Sequence, residues 1–314
     1  MSAHIANGKK YPGASVVEQK GWFAAYKWLI LRRISQALFI AVFLVGPLSG
    51  FWLVKGNLAS SITLDILPLT DPFIMLQSLL AGHVMEQSAI IGALIVTAIY
   101  FLLGGRVFCS WVCPVNVISD TATWLRRTLG WNKAGIRLGR KTALWIMAGV
   151  LVTSAITGTI AWEFINPITM LHRSIVFGGF ASFGLAWVVL AGVFLVELVG
   201  GDRIWCSKLC PVGAFYGLLG KFSILKISAR KRSACNDCMD CYAICPEAHV
   251  ISPALKGEKD AKGPIILSGD CTNCARCLDV CSEDVFEFSI RTRNNLDDAS
   301  FSKEGAEEST KRAA

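Results

Sequence analysis

The chain has 314 residues, 53% hydrophobic and only 17% charged, with 31 Lys and Arg against 23 Asp and Glu. Soluble domains carry about 25% charged residues, so long stretches here must be almost uncharged and the charge must be segregated. Hydrophobicity excludes disorder for most of the chain, and length together with the grouping of the 12 Cys excludes a disulfide-rich secreted scaffold.

Residues 1–33 are polar and basic, too long a lead for a signal peptide, and form an N-terminal segment. Four apolar runs follow at roughly 34–54, 87–104, 143–162 and 176–199. Each approaches the ~20 residues that cross ~30 Å of hydrocarbon, and four exceed what a soluble core would use. Gly46, Pro47 and Gly50 are expected to kink or break the first run near its middle.

Lys and Arg number six in 1–33, one in 55–86 (Lys55), seven in 105–142, one in 163–175 (Arg173) and sixteen in 200–314. That asymmetry predicts both termini, the 105–142 loop and the Cys-rich tail on the cytoplasmic side, with the connections inside each pair of spans outside. Arg126, Arg127, Arg137, Arg140 and Lys141 are placed to meet anionic headgroups, so the net charge of +8 requires no nucleic acid.

The membrane part is duplicated. GGRVFCSWVCPVN (104–116) returns as GGDRIWCSKLCPVGA (200–214), and DPFIMLQ (71–77) returns as NPITMLH (166–172). Two helix hairpins, repeated in parallel about an axis along the membrane normal, bring two C-x-x-x-C-P motifs to equivalent helix ends. The pairs Cys109/Cys113 and Cys206/Cys210 are compatible with two disulfides, one edge of a metal site each, or a four-thiolate centre shared by the repeats. Pro114 and Pro211 stop the backbone behind the second cysteine of each motif.

Residues 220–291 form a soluble domain behind the 34–219 membrane domain, entered through a basic link at 220–234, and the polar residues 292–314 are expected to be disordered. The soluble domain carries Cys235-x-x-Cys238-x-x-Cys241-x-x-x-Cys245-Pro246 and then Cys271-x-x-Cys274-x-x-Cys277-x-x-x-Cys281. This is the two-cluster bacterial ferredoxin run, in which the fourth Cys of each run serves the other cluster. The expected ligand sets for two 4Fe-4S clusters are therefore Cys235, Cys238, Cys241, Cys281 and Cys271, Cys274, Cys277, Cys245. A zinc site has no use for the third repeated interval, and the cytoplasmic side disfavours disulfides. Ser282 stands where the second run should have Pro, which predicts a local change of turn geometry with the cluster retained. Arg230, Lys231 and Arg232 form a charged run before the first motif.

The fold class that follows is an α-helical membrane protein with four transmembrane helices in two repeated hairpins, both termini cytoplasmic, plus a small α+β two-cluster ferredoxin-like domain.

GWFAAYKWLILRR (21–33), GNLASSITLDILPLTDPFIMLQSLLAGH (56–83), FCSWVCPVN (108–116), WEFINPITMLHRS (162–174), CSKLCPVGAFYG (206–217), CNDCMDCYAICPEAHV (235–250) and CTNCARCLDVCSEDVF (271–286) together resemble the NapH family, related to the NosR-type and CcoG-type membrane ferredoxins. The resemblance implies a quinol dehydrogenase subunit of the bacterial inner membrane. It would pass electrons from membrane quinol toward a periplasmic iron-sulfur protein, NapG, and a periplasmic nitrate reductase, with cytoplasmic NapF as a further partner. An accessory or maturation role, reducing a metal or a partner enzyme's cofactor through the C-x-x-x-C-P thiols, is the competing expectation.

Quinol oxidation needs an apolar slot, a proton acceptor and a nearby one-electron carrier. The polar groups near the outer ends of the spans are Asp65, Asp71, His83, Glu86, Glu163, His172 and Arg173, and His83 is the expected acceptor because imidazole titrates near neutral pH. Glu197, near the inner end of the fourth span, is an alternative marker, and Trp52, Trp111, Trp162 and Trp205 fall at expected interfaces. All 12 Cys map to the inner side, whereas the implied acceptor lies outside.

Overall fold

The computed structural model describes residues 11–131, 138, 139, 141–178, 184–201, 203–257 and 263–291. The tail 292–314, expected to be disordered, and the basic positions Arg137 and Arg140 lie outside these residues.

A short helix α1 (Ala14–Lys20) turns at Gly21, whose φ of 85° suits glycine, into the 28-residue helix α2 (Trp22–Ser49). The first apolar run is therefore not a separate span from residue 34 to 54 but the second part of a longer helix. Gly46 and Pro47 do not break it in the middle. They fall in its last turn, where Gly50 at φ 74° ends it and its N–H bonds back to the Gly46 carbonyl. Trp52 then folds back against Gly46, where a side chain would collide with the indole.

Three antiparallel strands follow, β1 (Val54–Gly56), β2 (Ser60–Thr63) and β3 (Leu67–Thr70), and the last leads into α3 (Pro72–Leu80). Asp71 caps α3 by accepting the Phe73 and Ile74 N–H groups at 2.7 and 3.4 Å, while Pro72 takes the first helical position where no N–H is needed. The apolar helices α4 (Gln87–Leu103), α6 (Thr142–Thr157) and α8 (Leu185–Gly200) match the remaining runs, with α5 (Val115–Thr128) between the first two. Only α2 is long and apolar enough to cross a membrane among the described residues; α4, α6 and α8 have 17, 16 and 16 residues.

The duplication is visible in the second half. Asn166 caps α7 (Pro167–Arg173) by accepting the Ile168 N–H at 3.2 Å, as Asp71 caps α3, and α9 (Pro211–Gly220) is the counterpart of α5. The halves interlock, each capped helix resting on the other half. Gln77 of α3 accepts the Ser154 hydroxyl of α6 and the backbone N–H of Trp162, and His172 of α7 meets the Phe43 ring of α2 edge-on at 4.8 Å. Trp162, expected at an interface, is instead 2% exposed in the core of this unit. Arg126 does not point to headgroups either: it is buried and donates to the Leu198 and Val199 carbonyls at the end of α8. Arg127 reaches the Ala243 carbonyl, and Lys141 is exposed.

The soluble unit pairs β4 (Leu225–Ser228) with β5 (Glu287–Ile290) antiparallel and holds three short helices, α10 (Asp240–Ile244), α11 (Ile251–Lys256) and α12 (Arg276–Asp279). Its core joins Ile227, Val250, Ile251, Val280 and Val285 to Cys241 and Cys277. It grips α2, because Asp279 accepts the Trp28 and Leu29 N–H groups at 3.0 and 3.1 Å while its partner Arg276 donates to the Ala25 carbonyl. The segment before residue 34 is thus the seat of the soluble unit.

Candidate functional site

Each C-x-x-x-C-P motif folds the same way. The residue before Pro avoids helical ψ, so Cys113 (ψ 119°) and Cys210 (ψ 114°) are extended and the Pro opens the next helix. The chain reaches that corner through a single π-turn, closed by Cys113 N–H to the Phe108 carbonyl and by Cys210 N–H to the Trp205 carbonyl, both at 2.9 Å. The second sulfur of each motif then sits over the N-terminal amides of a helix, Val115 and Asn116 for Cys113, Val212 and Gly213 for Cys210.

The two motifs converge. Cys113 lies within electrostatic reach of Cys109 and Cys210, Cys206 of Cys113 and Cys210, and Cys210 of Cys109. Burial first, and neighbouring thiols next, push Cys210 up to about 12 and raise Cys113 as well. Four neighbouring thiols, Cys113 buried and the other three half-buried, become thiolates together only around a cationic centre. All 12 cysteines are free of disulfides, and among the described residues no three His, Cys, Asp or Glu side chains are placed to hold a single metal ion. Four thiols are a donor set that an iron-sulfur group or zinc would take. Around it lie Phe73, Ile168 and Val193 from both halves. Glu197, 1% exposed, accepts the Ser119 hydroxyl at 2.7 Å, and the same hydroxyl lies 3.2 Å from Cys206 Sγ.

In the soluble unit, one cavity is lined by Cys235, Cys238 and Cys241 together with Cys281, the set expected from the crossover of fourth ligands. Cys245 in turn lies in electrostatic reach of Cys271, Cys274 and Cys277. Burial is the main cause that raises Cys241 to about 12 and Cys271 to about 11, again a donor set that needs a cation to ionise. The loops wrap these places by matching left-handed residues, Asp237 (φ 56°) with Asn273 (46°) and Met239 (63°) with Ala275 (57°). Ser282, in place of Pro, is buried and bonds to Glu283 at 3.0 Å, and Cys281 keeps its position in the cavity.

Two arginines that sequence reasoning passed over join the groups. Arg106 and Arg203 stand three residues before the first cysteine of each motif and are 4% and 9% exposed. Arg106 donates to Glu247 at 3.1 Å, the Asp270 carbonyl at 3.0 Å and the Cys206 carbonyl at 2.9 Å. Arg203 pairs with Asp120 and lies in the field of Cys274, Cys206 and Cys245. The loop of Cys271 thus abuts the first C-x-x-x-C-P motif, with Ser110 and Trp111 bonding to the Thr272 and Asn273 carbonyls at 2.7 and 3.1 Å. The signal for the arginines was their repetition at equivalent places in the two halves.

The polar groups expected near quinol disperse. His83 is exposed beyond the end of α3 and belongs to none of the cavities described, so the structure does not bring it to the thiols. Asp65 pairs with Lys55 and Glu163 with Arg173, and Glu86 precedes α4 without capping it. Asp71 and His172 lie inward, and both His172 ring nitrogens are buried without a hydrogen-bond partner.

The family described as 4Fe-4S binding domain matches residues 86–132 and 183–233, once per half, and the family described as 4Fe-4S dicluster domain matches residues 234–285. The chain is 50% identical to "Methylamine utilization ferredoxin-type protein MauN" of Paracoccus denitrificans, over 88% of this chain and 94% of that protein. A MauN of Methylorubrum extorquens is 48% identical over 90% and 95%. "Ferredoxin-type protein NapH" of Escherichia coli is 44% identical over 91% and 98%. No solved structure matches.

Proposed function

Since the chain belongs to the ferredoxin-type family that holds NapH and MauN, we propose that it is the quinol-oxidising subunit of an electron-transfer system, anchored by four membrane spans with both termini cytoplasmic. The single observation that carries this reading is that the buried Arg106 and Arg203 bridge the two cysteine groups, Arg106 bonding to the Cys206 and Asp270 carbonyls and Arg203 lying in the field of Cys206, Cys245 and Cys274. In this reading Cys235, Cys238, Cys241, Cys281 and Cys271, Cys274, Cys277, Cys245 hold two 4Fe-4S cubes, and Cys109, Cys113, Cys206 and Cys210 hold a further iron-sulfur centre. When bound, such centres supply one-electron carriers that divide a two-electron oxidation into single steps. The chain's own residues hold the carriers apart from water, and the two arginines offset the negative charge that accumulates beside them. Electrons would leave to a periplasmic iron-sulfur partner of the NapG kind, with a NapF-type protein on the cytoplasmic side.

The test is to add menaquinol or ubiquinol anaerobically to the purified protein and follow its EPR signals. Reduction by either quinol is expected. Intact EPR-active centres that neither quinol reduces would instead favour the accessory role, in which the C-x-x-x-C-P thiols serve a metal or a partner's cofactor. The identities favour a second choice of system over the nitrate reductase one, because the MauN relatives stand at 50% and 48% against 44% for NapH. Restoring growth on methylamine to a strain lacking MauN, or nitrate reduction to one lacking NapH, separates the two.

A further inference from the structure

The largest of the cavities described opens between α2, β3 and α4. Its walls include Phe39, Phe43, Tyr100, Phe108 and Tyr216, and Asp71 is its acidic group. The lining has the usual make-up of small-molecule sites, aromatic walls with few polar groups. Phe39 is 42% exposed on the flank of α2, so the cavity is reached from the apolar surface of the protein. Phe108 and Val112, which flank Cys109 in sequence and precede Cys113, form its inner end, and Tyr100 lies in the field of both thiols. An apolar slot, a carboxylate and the thiols therefore meet in one place.

The carboxylate is not required by the fold. At the equivalent place in the second half, Asn166 caps its helix with the same geometry and no ionisable group. The first half carries an acid where an amide would serve, and the difference falls where the cavity lies. Tyr216 faces the same carboxylate as a hydrogen-bond donor.

We propose that this cavity seats the quinol ring and that Asp71 accepts the quinol's hydroxyl protons. This rests on the reading of the chain as a quinol oxidant and adds where the ring sits and which residue touches it. The quinol loses two electrons and two protons and becomes a quinone, its two O–H bonds breaking. The electrons go one at a time to the chain's iron-sulfur centres, which an iron-sulfur partner protein reoxidises. Each proton passes to an Asp71 carboxylate oxygen, which hands it to water before the next arrives. His83, outside this cavity, has no part in the step.

The full-length protein in lipid nanodiscs, loaded with its iron, is irradiated with a decyl azido-benzoquinone and digested for mass spectrometry. Label is expected on the stretch of α2 around Phe39 and Phe43 and on α4 around Val96 and Tyr100, and Val96→Trp, which fills the slot, should abolish it while leaving the dithionite-reducible EPR signal unchanged. Asp71→Asn keeps the helix cap and should retain the label, yet slow reduction by decylubiquinol about 100-fold, the scale of one general base. Reduction by dithionite should not change, and Asp71→Glu should recover much of the quinol rate. Label concentrated around His83, His172 or Glu197 would overturn the location, and an Asp71→Asn protein reduced by quinol at the parent rate would overturn the proton role; in both cases the quinol reading stands. If quinol reduces nothing in the parent protein and the azidoquinone labels no site, the quinol reading itself falls and takes this assignment with it.

Discussion

Arg106 and Arg203 occupy equivalent positions in the two repeated halves, and both are buried against the soluble unit's second cysteine loop or the thiols beside it. Their partners differ. Arg106 meets Glu247 from the soluble unit, and Arg203 meets Asp120 from α5. The Arg106–Glu247 pair is therefore an ionic link between the two units, both side chains 4% exposed, while the Arg203–Asp120 pair lies within one of them.

For Arg106 and Glu247, each 4% exposed, breaking the pair leaves a buried charge uncompensated. Arg106→Met should lower stability by about 3 kcal/mol. Adding Glu247→Leu should return a good part of that, since two apolar groups replace two charges. The urea midpoint for loss of iron-sulfur absorbance, measured on both variants, checks the order.

Asp120 faces Arg32, Arg33 and Arg203. Burial alone would raise its carboxyl, but Arg203, Arg32 and Arg33 outweigh that and hold it below the usual 3.8. A folded-state value below the unfolded one means the contribution is complete above the ordinary carboxylate range and is lost as pH falls through the lowered value. Asp120→Asn should therefore cost about 3 kcal/mol in thermal unfolding at neutral pH, with a smaller deficit only in acid.

The crossover of fourth ligands separates two outcomes spectroscopically. Cys281→Ser should alter the EPR signal of the cluster held by the Cys235 loop and spare the other, and Cys245→Ser should do the reverse. If each serine instead altered the cluster of its own run, the crossover would be wrong. Cys206→Ala should lower iron per chain by the content of one further centre, and unchanged iron would remove the shared four-thiolate site.

Met239 is 40% exposed and held at φ 63°, a conformation glycine adopts without steric cost. Met239→Gly should be neutral or stabilising by up to about 1 kcal/mol, and Met239→Val destabilising, by urea unfolding. The opposite order would show that packing by the thioether outweighs the backbone.

Composition and repetition made much of this legible. Uncharged runs announced α4 and α6 to within a few residues, and Cys spacing announced which cysteines line the cavity around Cys235. What pattern could not reach was depth. Asp71 and His83 stand twelve positions apart on one connection, and only the packing of α3 on α6 and of β3 on α4 turns one inward and leaves the other exposed. Arg126 read as a surface charge because its sequence neighbours are basic, yet it closes α8. Trp162 read as an anchor because it lies at the end of an apolar run, yet the interlocking of the halves places it at their centre.

Trp111 and Lys208 hold the same place in the two motifs, and both touch the soluble unit: the indole N–H donates to the Asn273 carbonyl, and the ammonium faces Glu247 at 3.5 Å. A platform built from two like halves offers an incoming domain two seats related by half a revolution. With a ring on one side and a cation on the other, the two seats are chemically unlike: the rotated pose would set Glu247 against an indole and forfeit its ion pair with Lys208.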